Sequence, residues 1–523
     1  MKEKAASFQV LPCEAERDDC SRLIKHFYAA VHCHNTFALD RSKFHIATLD
    51  IVPIEAARVL LELPANCCHS LERGLEMKTH AVKFSLTVAA LAVGLGATPA
   101  LADKTKFEFW YGLSGDLGER VEDACKKFND SQADYEIVCT SQNGYPETVQ
   151  NSIAAYRAKK HPAIAQIFDG GTLDLMLSGA FVPAKKLMED NGYKIDWTNY
   201  FGGIANYYAT SKGELYSFPF NSSTAMFYYN VDAFTKAGIE GAPQTWEDVE
   251  AAARKLKAAG YSCPLGFSFD TWATVEQFSA IHNQPIATKS NGYDGLDAEL
   301  VINKTKLVDH LTFFKKMTDE GLFVVKTKQL GMDVVPAFTS ETCQMIQSSI
   351  ADHGTIGKTI KPGTRWDVTM LPVWKGTERQ NSLVGGASLW VLNNRPQAEY
   401  KGAAAFLNFI AQPDMVQWWS TVTGYIPVTK TGFEAMKANG FYDKPEYKGR
   451  DKAIASLTFT PTSANTRGIR LGGFPQIRKE ISDAMEGIFF GKMTVQAGLD
   501  QAVERGNAIL RRFEKTYAGR ALN

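Results

Sequence analysis

The sequence predicts an α/β protein of two lobes. Three observations carry this: strand and helix signals alternate along the chain, about 420 residues take part, and no Pro/Ser-rich linker divides them. A stretch of that length exceeds a single compact core. Without a linker, two lobes joined by several chain crossings fit better than separate beads. Alternation of this kind also implies sheets that are mainly parallel.

Taken in order, residues 107–111 form an aromatic-rich strand, and Leu117, Val121, Ala124 and Phe128 then recur at helical spacing. Residues 135–138 read as a strand and 149–158 as a helix that stops at Lys159-Lys160-His161-Pro162. Residues 163–168 are an apolar run between breakers, the pattern of a buried strand, and it ends on Asp169-Gly170-Gly171. Ligands of open α/β sheets bind at the carboxyl ends of strands, which places Asp169 where a site is expected. Residues 225–229, 368–371 and 388–392 complete the strand signals. Residues 246–259, 307–320, 398–411 and 495–512 carry apolar faces at helical period.

The first hundred residues stand outside this pattern. From Met77 the chain reads MKTHAVKFSLTVAALAVGLGATPALA, with Lys78 and Lys83 ahead of a short apolar run and Ala100-Leu101-Ala102 behind it. That is the form of a secretory signal, and the apolar run is too short to span a bilayer. Residues 77–102 are therefore read as a signal peptide and residues 1–76 as a non-native or overcalled extension. The extension holds Cys13, Cys20, Cys33, Cys67 and Cys68 and a His32-Cys33-His34 triplet, but adjacent or alternate ligands lack zinc spacing.

Charge narrows the possible partners. Lys+Arg and Asp+Glu both number 57, and 46 of each remain from Asp103 onward. A neutral surface lacks the excess of cations that nucleic-acid binding requires. Any anion must be selected by a local site. Cys125, Cys139, Cys263 and Cys343 follow the leader, in a compartment that permits disulfides. Cys263 with Cys343 and Cys125 with Cys139 are compatible pairs, and the connectivity stays open at this level.

Motifs of catalysis are missing from the sequence. It contains no HExxH, GxSxG or CxxC, and Gly357-Lys358-Thr359 lacks the upstream glycine of a phosphate loop because Asp352 stands there. No pair among His161, His282, His310 and His353 has metal-ligand spacing. Polar and glycine-rich punctuation falls instead at strand ends: Asn221-Ser222-Ser223-Thr224, Ser348-Ser349 and Gly385-Gly386. Glycine allows close backbone approach to a ligand, and successive N–H groups make anion-binding nests.

These residues resemble, as a set, the periplasmic glycerol-3-phosphate-binding proteins of ABC importers, within extracellular solute-binding protein family 1. The resemblance runs from Phe107 to Thr516. It is carried by PFNSST at 219–224, YYN at 228–230, GGASLWV at 385–391, TGYIPVTK at 423–430, RLGGFPQIR at 470–478 and AVERGNAILRRFEK at 502–515. It implies the two-lobed type II solute-binding fold, closing by hinge motion. The lobe segments it suggests are 103–217 and 371–422 for one lobe, and 218–370 and 423–523 for the other.

The resemblance also implies a ligand-binding set: Tyr145, Asp169, Ser223, Trp272, Ser349, Gly386, Tyr425 and Arg478. Arg478 is expected to offer a two-pronged donor to the phosphate, with Arg470 as its rival. Ser223, Ser349, Tyr145, Tyr425 and the Gly386 N–H add neutral donors. Asp169, where the family usually has Glu, is expected at the polyol end, away from the phosphate. Trp272 packs on the ligand's carbon skeleton, and Phe269 replaces a second tryptophan. The implied function is delivery of sn-glycerol-3-phosphate, or a glycerophosphodiester, to permease subunits with a cytoplasmic ATPase. The protein is then a monomer without cofactor, metal or nucleic acid, exported to the periplasm. A neutral-oligosaccharide binder and a secreted phosphoester or glycoside hydrolase are the alternatives.

Overall fold

The computed structural model describes residues 103–210, 213–325 and 331–520. The expected leader at 77–102, the extension and the cysteines of the extension lie outside the described residues.

Aromatic and aliphatic side chains at period two build the first strands. β1 (Thr105–Tyr111) buries Phe107, Phe109 and Tyr111 and turns Lys106 and Glu108 outward. β2 (Tyr135–Ser141) and β3 (Ile164–Phe168) flank it in parallel, and β3 is buried throughout. The helix Gly115–Ser131 covers this sheet with Val121, Ala124, Cys125 and Phe128. Phe128 meets Phe107 and Phe406 edge to face, with centroids 6.3 and 5.4 Å apart. β4 (Phe181–Val182), β5 (Phe218–Ser223) and β11 (Gly385–Leu392) complete the sheet in the order β2-β1-β3-β11-β4, with β5 also pairing with β11.

The second sheet runs β10 (Trp366–Met370), β6 (Ala225–Asn230), β9 (Cys343–Ser349), β7 (Cys263–Phe267), β8 (Phe323–Val325). On one face it carries the helix Trp246–Ala258, opened by a capping box between Thr245 and Asp248. The helices Phe474–Phe489 and Val495–Thr516 pack into the same core, where Ile477, Ile481 and Ile488 meet Leu265 and Phe267. Cys125 is bonded to Cys139 and Cys263 to Cys343. Among the described residues, no helix is long and apolar enough to cross a membrane.

Two expectations are corrected. The sheets are mixed rather than mainly parallel: β11 runs antiparallel to β3, β4 and β5, and β6 antiparallel to β9 and β10. The cause is a direct step from one sheet to the other. β5 passes to β6 through Thr224 alone, with no helix to restore the strand direction.

The crossings are also displaced from 217/218, 370/371 and 422/423. β5 belongs to the first sheet, so the first crossing falls at Thr224. Leu371 and Leu383 still pack in the second core, and the chain re-enters the first sheet at Gly385. Ile426 bonds through its N–H to the Ser222 carbonyl (2.9 Å), Val428 and Thr431 still bond Phe201 and Asn199, and Phe433 packs on Phe201, so the third passage falls beyond Phe433 rather than before Thr423. Polar residues at 221–224 hid a strand that is buried at every position.

Candidate functional site

The crossings bring neutral donors together. Ser223, at the end of β5, lies opposite Gly385, and Gly386 lies opposite Ser222. Ser349 ends β9 opposite Ala225, one residue beyond the crossing. Its hydroxyl accepts from the Ala351 N–H (3.1 Å), which leaves the hydroxyl proton for a ligand. Gly386 has φ +101°, and a Cβ there would stand 1.9 Å from the Asn221 carbonyl oxygen. A Cβ on Gly385 would stand 2.3 Å from the Trp272 indole, so Trp272 packs directly on that backbone.

A relay of amides fixes the tyrosines. The Gly112 N–H donates to Gln166 Oε1, Gln166 Nε2 to Asn221 Oδ1, and Asn221 Nδ2 to the Tyr145 hydroxyl, each at 2.8 Å. Tyr145 stacks on Phe168 with centroids 5.6 Å apart, and Tyr425 on Trp419 at 5.9 Å. The two tyrosine hydroxyls interact, and burial raises both above the ordinary tyrosine value, Tyr145 to about 12. They are neutral donors at any physiological pH.

The charged end differs from expectation. Arg478, on the helix Phe474–Phe489, gives its Nε and Nη2 to Glu276 Oε1 and Oε2, both at 2.7 Å. Its Nη2 also bonds Asp169 Oδ2, across the two lobes. Thr271 donates to Glu276 Oε1 at 3.2 Å, and the rings of Phe474 and Phe168 lie 4.8 and 5.4 Å from the guanidinium. Burial pushes the carboxyls of Asp169 and Glu276 upward while Arg478 pulls them down. Burial likewise opposes the Arg478 charge, but the two carboxylates prevail and hold it charged. With all three ionised, the group carries one net negative charge. Arg478 is therefore not a free phosphate fork, and Asp169 is not remote from it.

One cavity of about 670 Å³ collects these groups. Tyr145, Asp169, Ser223, Trp272, Ser349, Gly386, Tyr425 and Arg478 all line it, as does Phe269. Sequence reasoning missed Glu276, which closes the π-helical turn Trp272–Glu276, together with Asp270 and Asp352 on the wall. Asp270 accepts from the Trp272 N–H (2.9 Å) and Asp352 from the Ser348 hydroxyl. The spacing of Trp272 and Glu276, four residues apart before an apolar helix, was the available signal. Arg470 takes no part: it is buried, its Nη2 donates to the Ala209 (2.6 Å) and Tyr207 (3.4 Å) carbonyls, and it lies 4.2 Å from the Tyr293 ring. Among the described residues, no group of three or more His, Cys, Asp or Glu is placed to hold a metal.

Two lobes, repeated chain crossings and a ligand-sized polar cavity at those crossings define the class of hinge-bending solute receptors. The chain belongs to the bacterial extracellular solute-binding proteins, whose model matches residues 123–446. It is 37% identical over 435 residues to the sn-glycerol-3-phosphate-binding periplasmic protein UgpB of Escherichia coli K12, covering 82% of this chain and 98% of that one. The corresponding protein of Shigella flexneri matches at the same identity and coverage. Among solved structures, UgpB from Mycobacterium tuberculosis in complex with glycerophosphocholine shares the fold at TM-score 0.66 and 20% identity, over 78% of this chain and 99% of that one. The sugar-binding protein MalE of Xanthomonas citri shares it at TM-score 0.62 and 15% identity, over 80% and 100%.

Proposed function

We propose that this protein is the periplasmic substrate-binding component of an ABC importer, exported through the 77–102 leader. It captures sn-glycerol-3-phosphate or a glycerophosphodiester between its lobes and delivers it, chemically unchanged, to permease subunits driven by a cytoplasmic ATPase. The observation that carries the reading is that all eight residues named by the resemblance line one cavity. The 37% identity to the glycerol-3-phosphate-binding relative supports the ligand class.

The geometry favours a division of labour between the cavity's two ends. A phosphomonoester carries roughly −1.5 to −2 charges. Set about 4 Å from a buried carboxylate, each like-charge pair costs about 4 kcal/mol at an effective dielectric near 20. The group of Arg478, Asp169 and Glu276 therefore takes the glycerol hydroxyls, which both donate to a carboxylate and accept from a guanidinium. Ser223, Ser349, Tyr145, Tyr425 and the Gly386 N–H take the phosphate. Trp272 covers the carbon skeleton and excludes water.

A second reading follows from the acidic wall. Asp270 and Asp352, beside the aromatic rings of Trp272 and Phe269, suit the cationic head of a phosphodiester better than a free dianion.

Calorimetry with sn-glycerol-3-phosphate, glycerophosphocholine, maltose and inorganic phosphate tests both readings. Saturable maltose binding with no response to either glycerophospho-compound overturns the ligand class. Asp169→Asn tests the division of ends: affinity for glycerophosphocholine falls about tenfold if Asp169 holds hydroxyls. It rises if Asp169 faces the phosphate. Recovery of the ligand at unchanged mass after prolonged incubation separates a receptor from a hydrolase.

A further inference from the structure

Beside the cleft, a second cavity of about 440 Å³ lies between the lobes. Arg120 of the helix Gly115–Ser131 forms one wall, and His353, Gly357 and Lys358 of the helix His353–Thr359 form another. The Gly357-Lys358-Thr359 segment, which resembles the end of a phosphate loop, thus has a place in the fold that the main cleft does not use. Arg450, 6% exposed, also lines this cavity.

A buried guanidinium normally meets a carboxylate, because an unpaired charge away from water is strongly unfavourable. Among the described residues, no carboxylate stands within ion-pair distance of Arg450, and only tyrosines offset its burial, which lowers its pKa to about 10. Arg470, equally buried, has its Nη2 capped by two carbonyls. Arg450 instead donates through Nε to His353 Nδ1 (3.1 Å) and through Nη1 to the Ser420 carbonyl (2.9 Å). Its Nη2 has no acceptor among the described residues. Tyr447 and Phe441 hold the guanidinium plane, at 4.9 and 5.9 Å.

His353 brings no compensating or opposing charge. With Nδ1 accepting, its proton sits on Nε2, which donates to the Lys448 carbonyl at 3.2 Å, and burial holds its pKa down to about 3. At the rim, Lys358 pairs with Asp116 (2.9 Å) and Arg120 with Asp123 (2.6 Å) and Asp116 (3.6 Å). The rim is thus neutralised while the floor is not. Glu446, the one carboxylate lining the cavity among the described residues, is exposed.

We propose that this cavity is a second anion site, in which Arg450 Nη2 takes a tetrahedral oxyanion of the sulfate or phosphate kind, with Lys358 and Arg120 as secondary donors. Its walls come from both lobes, so its occupancy is linked to the lobe arrangement described above.

Titration of the ¹⁵N-labelled full protein with sodium sulfate, against sodium chloride at matched ionic strength, tests the site by NMR. The Gly354 and Gly357 amides and the Arg450 Nε–H shift saturably with sulfate, and chloride leaves them in place. Arg450→Gln removes the saturable shift, and Lys358→Ala weakens binding about threefold. Shifts that grow linearly without saturation, shifts reproduced by chloride, or an unaltered titration in Arg450→Gln overturn the proposal. If Arg450→Gln does not fold, the pair Lys358→Ala and Arg120→Ala decides: affinity equal to wild type in both overturns it.

Discussion

Gly386 marks how little room the chain has at the crossing. Its φ of +101° is unfavourable for any residue with a Cβ, and that atom would overlap the Asn221 carbonyl. Gly386→Ala is expected to cost about 3 kcal/mol in urea unfolding and to weaken glycerophosphocholine binding more than tenfold. Wild-type values of both would remove Gly386 from the site. Glu276 shows the limit of reading residues from sequence. Glu276 shares the run TWATVE with Trp272, and only the four-residue spacing between them points to the carboxylate. Its meaning comes from folding, which brings Arg478 to it over 202 positions and to Asp169 over 309. Residue types imply what a side chain can bond. They do not say which carboxylate reaches an arginine first, and this is why Arg478 was expected to meet the phosphate.

The disulfides act at the level of single elements. Cys263–Cys343 joins neighbouring strands β7 and β9 over 80 positions, and Cys125–Cys139 ties the first helix to β2 over 14. Chain entropy alone assigns about 4.5 kcal/mol to the longer closure and about 3 to the shorter. Paired serine substitutions, followed by urea unfolding, should therefore destabilise more at 263/343 than at 125/139. A larger loss at 125/139 would place the stabilisation elsewhere. The helices legible in the sequence were those with a clean apolar period, such as Trp246–Ala258, Leu307–Asp319 and Gln397–Ile410. β7 was not legible, because CPLGF puts Pro264 and Gly266 into a central strand, where both are disfavoured. Pro264 is tolerated because it precedes the β8 register and is the skipped position between the Cys263 and Leu265 pairs with β9. The helix Phe474–Phe489 was hidden for another reason: its first turn carries the site residues and obscures the apolar spacing behind them.

Across the whole molecule, buried histidines set the acid limit of stability. His282 bonds the Phe278 carbonyl through Nδ1 (2.8 Å) and accepts from the Trp374 N–H through Nε2 (3.1 Å), and burial lowers its pKa to about 4. Below pH 6.5 the unfolded chain takes a proton that the folded chain refuses. Stability from this group is therefore complete at neutral pH and drains by about 1.4 kcal/mol per unit as pH falls toward 4. His353 acts in the same direction. Asp174, raised to about 6 by burial, acts oppositely, because the folded form protonates first as the pH falls. Comparing His282→Gln with wild type isolates one group: the wild-type advantage in urea shrinks by about 2 kcal/mol between pH 7 and pH 5. A gap that does not change with pH would mean that His282 titrates in the folded protein as it does in the unfolded chain. The zero net charge of the chain leaves such local groups, rather than a global field, to set the response to acid.

The interleaving of the lobes also imposes an order in time. The strands of the second sheet are complete at Met370 and the helices Trp246–Ala258 and Leu307–Asp319 already share their core, but the helices that complete the cover of Leu265 and Phe267 begin only at Phe474. A chain emerging N-terminus first has all strands and the helix Gln397–Ile410 of the first lobe while the second still presents a partly uncovered apolar face. That face stays open to proteases and to other unfinished chains until nearly the last residue has been made. A premature stop between residues 393 and 473 removes the helices Phe474–Phe489 and Val495–Thr516 from the second core while leaving every strand of both sheets in place.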